Sequence, residues 1–465
     1  MGAPWSGRLL WMVGRFAAAL AWVGSRLLPL DRPLLRGEAF RAFWLSRLTA
    51  QAAQNALLYG LLIVVVDRTD DPFYTSLFVG CSILPSLLVG LPAGLAVDAL
   101  PRRPLLVALN LVRAALGLLL VLGVGRSLTG LFAVTLSLWT VHQFYAPAEG
   151  TTAPALVTRD RYGEAQALAN LALVLAQLIG MVVLAPLLLR TAGPEALFAL
   201  CAALFLGAAA LAAVLPAVDE RLGGEAPPPH GTRPEGAAGT KLLGGWRATR
   251  ADRAVFEAMA HDVMVGVGLS ALVVIVPFYL ERVLGTAKEN TVFVFAPAAL
   301  GTVLGLRAAP AIGRLLDERR AATAGLLAFS LGVAALGVVE QLQAVLDARF
   351  GGQFTRLGEA LGVPPLVLVA MLVSIPAGFA AAVVGVAARA VLLARAPAAA
   401  LAQVVAVQGV LGNLGALGPT LLVGLGADWL GVRTMAVVIA VAMVAGALAV
   451  RAAGRLATPT RAARP

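Results

Sequence analysis

Long apolar runs alternate along this chain with short polar or charged links. About twelve of these runs approach the roughly 20 residues that a bilayer core needs. They fall at 43–66, 74–97, 105–124, 128–148, 165–189, 195–215, 255–280, 291–312, 322–339, 363–386, 401–425 and 432–449. In lipid every backbone polar group must be satisfied within the chain, so runs of this length predict helices rather than open sheet. The pattern stops at 217–253, where ERLGGEAPPPHGTRPEGAAGTK is rich in Pro, Gly and charge. That composition predicts a largely disordered cytoplasmic linker between two six-helix halves, 41–216 and 254–450. A second polar stretch, 343–362, holds Asp347, Arg349, Arg356 and Glu359. The even number of intervening runs puts it on the opposite face from the linker, as an outer insert.

Residues 1–40 carry a different pattern. Arg8, Arg15 and Arg26 are spaced seven and eleven residues apart, which places them within roughly 20° of one another on a helix. Trp5, Trp11 and Trp22 stand nearby on an otherwise apolar stretch. A basic stripe on an apolar helix predicts a segment lying in the membrane interface. A signal peptide is the competing reading, although Arg15 interrupts what would be its apolar core. A basic tail, with Arg451, Arg455, Arg461 and Arg464, closes the chain at 451–465.

Composition narrows the class. The chain has 465 residues, 60% hydrophobic and 13% charged, with a mean hydropathy of +0.87. Soluble domains carry roughly 25% charged residues, so this chain has too little polar surface for water and reads as all-α polytopic membrane protein. Abundant Ala and Gly allow helices to approach closely where lipid supplies no hydrophobic drive. The net charge of +11 points to membrane topology rather than nucleic acid, because the arginines cluster in links and tails beside apolar runs. Arg102, Arg103, Arg159, Arg161, Arg319, Arg320 and Arg395 fall in links of one side, while the other side holds mixed links such as Asp67, Arg68, Asp70 and Asp71. The positive-inside rule then puts both termini in the cytoplasm. Cys81 and Cys201 both lie in apolar runs and read as unpaired thiols, with no disulfide or metal framework. No GxxxxGK[ST] loop suggests ATP hydrolysis, and no nucleophile–base constellation suggests an enzyme. No cofactor is expected.

One link organises the rest. Residues 94–103 read GLAVDALPRR, with Gly94, Asp98, Arg102 and Arg103 packed between two membrane-length runs. A second copy, GRLLDERR, places Gly313, Asp317, Arg319 and Arg320 in the other half. The Gly-x-x-x-Asp spacing is the same in both, and basic residues follow in both. A link signature repeated once per half predicts two-fold pseudo-symmetry.

Polar residues inside the apolar runs carry the candidate chemistry. Arg47, Gln51, Gln54 and Asn55 fall at steps of three and four, mostly on one helix face. Such a stripe should face the bundle interior or a wet cavity, with interhelical hydrogen bonding as the competing reading. Arg113 lies near mid-depth in the third run, and His142 shares a face with Thr135 and Trp139 in the fourth. His261 and Asp262 lie early in the seventh. An unpaired charge there is costly, so Asp262 pairs, protonates or touches water. Proton exchange near neutral pH needs a desolvated carboxyl, and Asp262 is the leading candidate, against a structural pair or cap. His261 could simply point to the interface. Arg113 reads as an inter-helix strut. Glu149, at the end of the fourth run, reads as a surface partner for Arg102, Arg103 or Arg159. Gln166, Asn170 and Gln177 have a loose echo in Gln403, Gln408 and Asn413, and Gly412, Gly415 and Gly418 with Pro419 give the eleventh run a thin, bendable face.

These motifs resemble the major facilitator superfamily. GLAVDALPRRP looks like that family's cytoplasmic link between its second and third helices, with Ala99 and Pro101 departing from the usual pattern. LVALNLVRAALGLLL and FYAPAEGTTAPALVTRDRYGEAQALANLA are similar to the drug and siderophore exporter branch that includes the enterobactin exporter, although that branch tends to show an arginine where Glu149 stands. The resemblance implies the twelve-helix fold, a first helix lining a central cavity, and a gate in which Asp98 caps the helix that begins near Leu401. It implies Gln51, Gln54, Asn55, Trp139 and His142 as cavity residues, and Asp262, His261 and Arg113 as groups for coupling or buried charge. It further implies a proton-coupled exporter of an amphipathic small molecule, monomeric, in a bacterial inner membrane. Two alternatives stay open: a lipid or lysophospholipid flippase, which the basic N-terminal helix would suit, and a transporter-like scaffold that moves nothing.

Overall fold

The computed structural model describes residues 33–98, 100–158, 161–216, 238–287, 292–350, 352–361, 363–396 and 401–456. The N-terminal segment up to Arg32, most of the Pro-rich linker and the basic tail beyond Leu456 lie outside the described residues. Among the described residues every regular element is helical. After a single turn at Pro33–Arg36, the helices are α1 (Glu38–Thr69), α2 (Pro72–Leu88), α3 (Gly90–Asp98), α4 (Arg102–Val121) and α5 (Leu128–Ala155). They continue as α6 (Tyr162–Gln177), a π segment (Leu178–Leu184), α7 (Ala185–Thr191), α8 (Gly193–Ala213), α9 (Ala238–Ala251), α10 (Arg253–Arg282) and α11 (Val292–Leu316). The last six are α12 (Glu318–Gly337), α13 (Val339–Arg349), α14 (Gln353–Leu361), α15 (Pro365–Arg395), α16 (Leu401–Leu430) and α17 (Val432–Leu456).

By length and composition, ten helices can cross a membrane among the described residues. Each of the twelve apolar runs is helical, and the two outside that set have local reasons. The run 74–97 is divided at Val89, whose N–H bonds back to Pro85 O at 2.8 Å before α3 starts at Gly90. Pro85 and Pro92 flank this break, and neither can donate to a helical ladder. The run 128–148 lies in α5, which is long enough at 28 residues but carries His142, Gln143, Glu149 and several threonines.

The chain divides into two compact units. The first comprises 1–60, 92–226 and 359–362; the second comprises 61–91, 227–358 and 363–465. The boundary falls inside α1, and residues 61–91 cluster with the second unit.

In the first unit α1 is buried along most of its length. Trp44 Nε1 donates to Leu168 O at 2.8 Å, and Ser46 Oγ donates to Ala208 O at 2.8 Å. These bonds tie α1 to α6 and α8 through backbone carbonyls, contacts worth about 0.6–2 kcal/mol each in bilayers. The π segment follows α6, with the Ala185 N–H bonded to Gly180 O. Gly180 presses against Ala52 O and Asn55 Cβ of α1, where any side chain would clash.

In the second unit α11 and α15 pack backbone to backbone. Gly301 faces Ile375 O and Gly378 faces Ala298 O, so each glycine admits the other helix's carbonyl. α10 begins on an Asp252 cap, whose Oδ1 accepts from the amides of Ala254 (2.7 Å) and Val255 (3.3 Å). α2 begins likewise, with Asp71 Oδ1 accepting from the Phe73 amide at 2.7 Å. The end of the predicted linker is ordered: α9 is helical and lies on α16, with Gly244 and Gly245 against Gln403. Trp246 and Ala248 of α9 pack on a core of Val255, Met259, Val391, Val404 and Val407. Partial burial of Trp246 against this core supplies the apolar drive that composition alone concealed. In the insert, Arg433 and Glu340 form a two-pronged ion pair between α17 and α13.

Candidate functional site

The first unit holds a buried charge cluster. Arg47 and Gln51 sit one turn apart on α1, and Tyr145 and Glu149 sit one turn apart on α5, all at or below 7% exposure. Arg47 Nη1 lies 3.1 Å from Glu149 Oε2, which also accepts from Gln51 Nε2 at 3.2 Å. Tyr145 OH donates to Glu149 Oε1 at 3.0 Å. On the far side of the Tyr145 ring lies the fully buried Arg113 of α4, its guanidinium carbon 3.8 Å from the ring centroid. Arg113 Nη2 bonds His142 Nδ1 at 3.0 Å; a guanidinium only donates, so Nδ1 accepts. Trp139 meets His142 edge-on at 5.2 Å. Arg113 Nε and Nη1 find no hydrogen-bond partner among the described residues, nor do both amide atoms of Asn110 one turn before it.

Glu149 therefore corrects the sequence reading. It is not a surface partner of the link arginines but the buried anion of this cluster, 3% exposed. Gln54 is buried with Oε1 unpartnered among the described residues, and half-buried Asn55 donates to Gln51 O at 2.8 Å. Arg102 Nε donates to Thr151 Oγ1 at 3.2 Å within the same unit, and Arg103 is exposed. The Asp98 side chain lies outside the described part of the structure. Gly94 has open space around the position of a Cβ among the described residues, so close packing there does not demand a glycine.

The second unit presents an open cleft of about 410 Å³. Asp262 and Val263 of α10 line it, with Gly266 and Ser270 a turn and two turns on. Arg389 comes from α15, Gln408, Gly409, Gly412 and Asn413 from α16, and Ile83 from α2. Gln408 Nε2 donates to Asp262 Oδ2 at 2.6 Å. Asp262 is half-buried and Arg389 exposed, so the rim is wet while Ile83, Val263 and Ala416 give an apolar wall. His261 faces the other way. It is 1% exposed, and neither ring nitrogen has a hydrogen-bond partner among the described residues. The sequence left it free to point to the interface; the structure buries it.

The repeated link lies elsewhere in this unit. Asp317 adopts φ 68°, in the left-handed region that costs a non-glycine residue of order 1–3 kcal/mol. It precedes α12 without capping it through its side chain. Arg319 Nε donates to Glu257 Oε2 at 2.6 Å, and Arg253 Nε donates to Glu257 Oε1 at 2.8 Å. Glu257 is 1% exposed. Neither Glu257 nor Arg47 was singled out as an ion-pair partner from sequence. Each shows a usable signal, since a charge four residues from a partner on one helix face demands a counter-charge in lipid.

Two sets of helices, each with polar groups directed inward from membrane-length segments, define a multi-pass membrane transporter. The sequence profile described as Major Facilitator Superfamily matches residues 43–371, and the chain belongs to that superfamily. Its fold is similar to a bacterial homologue of the human lysosomal transporter Spinster in an inward-facing, unoccupied conformation. That pair shares 15% identity and a TM-score of 0.63, covering 92% of this chain and all of the other. The nucleoside transporter NupG is similar at 13% identity and a TM-score of 0.65, covering 90% of this chain and 98% of its own. The POT family transporter PepTSo is similar at 13% identity and 0.62, covering 89% and 98%. At such identities the likeness concerns the fold. No curated protein matches the sequence.

Proposed function

We propose that this transporter is a proton-coupled exporter of an amphipathic small molecule, working by alternating access, with Asp262 as the coupling carboxyl. The observation that carries the reading is the Asp262–Gln408 hydrogen bond at 2.6 Å in an open cleft within a membrane-length helix. A carboxylate at that depth is expensive unless it serves an ion or substrate path. The cleft offers both characters that an amphiphile needs: Asp262, Gln408, Asn413 and Ser270 for a polar group, and Ile83, Val263 and Ala416 for an apolar body. Gly266, Gly409 and Gly412 contribute no side chain and leave room. Export, proton coupling, a monomeric state and a bacterial inner membrane with cytoplasmic termini follow the exporter-branch resemblance of the third to fifth runs. In this reading the Asp98 link and its Asp317 counterpart act as gates.

The test is efflux of fluorescent amphiphilic cations and siderophore-like molecules from cells lacking their own exporters. Wild type is compared with Asp98→Asn and Asp262→Asn, with and without a protonophore. The expected result is efflux that collapses with the protonophore and falls about 10- to 100-fold in Asp262→Asn, as for loss of one positioned proton-transfer group. Efflux untouched by both would overturn the coupling role of Asp262.

A further inference from the structure

A second cleft, separate from the Asp262 cleft, gathers four arginines. It encloses about 480 Å³ where α10 and α12 begin and α17 nears its end, and is lined by Arg253, Arg319, Arg320 and Arg451 with Glu257 and Asp317. Four cations stand against two carboxylates, an excess of two positive charges. Glu257 is buried beneath and holds Arg253 and Arg319 through their Nε atoms. That geometry fixes the two guanidinium planes. Arg319 remains more than a third exposed, so part of its fork is open to a further acceptor. Arg253 Nη2 also donates to Arg451 O at 3.4 Å, which draws the end of α17 to the same place. The uncapped N-terminus of α12 opens here as well, adding backbone donors and the positive end of a 20-residue helix.

The cleft does not end at the charges. Ala324 and Leu327 of α12 continue its wall, and Leu331 follows one turn on. These residues share one helix face, with Leu327 44% and Leu331 71% exposed. A bare apolar stripe therefore runs from the arginines along a membrane-length helix.

We propose that this cleft binds the phosphate headgroup of an anionic membrane lipid, with an acyl chain along Ala324, Leu327 and Leu331. Guanidinium forks match phosphate oxygens in pairs. Basic pockets between membrane helices take anionic headgroups, at about one charge contact per arginine. The apolar stripe favours a lipid over free phosphate, because a free anion has no use for it.

The test is native mass spectrometry of the purified full-length protein titrated separately with phosphatidic acid, phosphatidylethanolamine of the same chains, and inorganic phosphate. Phosphatidic acid should bind about tenfold more tightly than phosphatidylethanolamine. Arg320→Gln combined with Arg451→Gln keeps both Glu257 ion pairs and should weaken phosphatidic acid about tenfold. Arg349→Gln with Arg356→Gln, on the polar insert, should change nothing. Leu327→Glu provides a second route should the arginine variant fail to fold; it should lower lipid binding and leave inorganic phosphate unaffected. Equal binding by wild type and by the Arg320/Arg451 or Leu327 variant would overturn the site, as would an equal loss in the insert variant. Inorganic phosphate displacing phosphatidic acid at equal concentration would overturn the lipid assignment in favour of a free-anion site.

Discussion

The two units handle polar groups in opposite ways. In the first, Arg47, Gln51, Glu149, Tyr145, Arg113 and His142 are locked together away from solvent, with one carboxylate serving three partners. In the second, Asp262 holds one hydrogen bond and faces an open cleft beside an exposed Arg389. Desolvated pairs are rigid: breaking one strands an uncompensated charge. A half-wet carboxylate has water or a substrate as an alternative partner. The contrast assigns a structural part to the closed cluster and an exchanging part to the open one.

The largest expected effect tests the closed cluster. Glu149→Leu leaves Arg47 and Arg113 buried without an anion, and should cost about 3–5 kcal/mol in denaturant unfolding of the detergent-solubilised protein. A loss under about 1 kcal/mol would remove the contrast. Arg113→Met keeps a similar shape and deletes a cation whose Nε and Nη1 have no hydrogen-bond partner among the described residues. It should cost about 1–2 kcal/mol, less than Glu149→Leu, because loss of the Tyr145 stack is partly offset by relief of desolvation. Equal losses in the two variants would mean that Arg113, not Glu149, holds the cluster.

Asp262→Asn should leave thermal stability within about 1 kcal/mol, since a half-exposed group gives up one hydrogen bond that Asn can still accept. A large loss would make Asp262 a structural pair like Glu149. The smallest effect lies in the insert, where both charges and solvent are plentiful. Asp347 is held below the usual carboxylate range first by the Thr355 hydroxyl at 2.6 Å, then by the Thr355 amide and Gln343. Its folded pKa lies below its unfolded one, so its contribution is complete above the unfolded value of about 3.9 and fades as pH falls through the lower folded value. Amide exchange at Thr355, measured from about pH 5 down to about pH 2 and corrected for intrinsic rates, should lose protection over that window. Thr355→Val should abolish most of the pH response.

Apolar run length made the helices readable, because bilayer thickness converts composition directly into element length. The exceptions are instructive. The break at Val89 depends on two prolines whose joint effect falls inside one hydrophobic window. α9 depends on Trp246 finding a core made by residues such as Val404, far along the chain. The sites were less readable for the same reason. Helical spacing put Arg47 and Gln51 on one face, and Tyr145 and Glu149 on another, but nothing local says that these faces meet across 98 residues. Arg319 was noticed as half of a repeated link, whereas its buried partner Glu257 passed as one more charge near a helix start.

The π segment at Leu178–Leu184 carries a consequence for how this chain tolerates insertions and deletions. A π turn is an α-helix holding one residue too many, and that residue is accommodated where Gly180 lies against Ala52. Removing one residue there would restore an ordinary helix and rotate everything beyond it by about 100° relative to α6. Pro186 is now buried and Arg190 stands near the exposed end of α7; the shortened chain would exchange which faces of that helix meet lipid. A single-codon deletion in this stretch would thus act as a twist rather than a truncation, with its damage reported at α7 instead of at the site of the change.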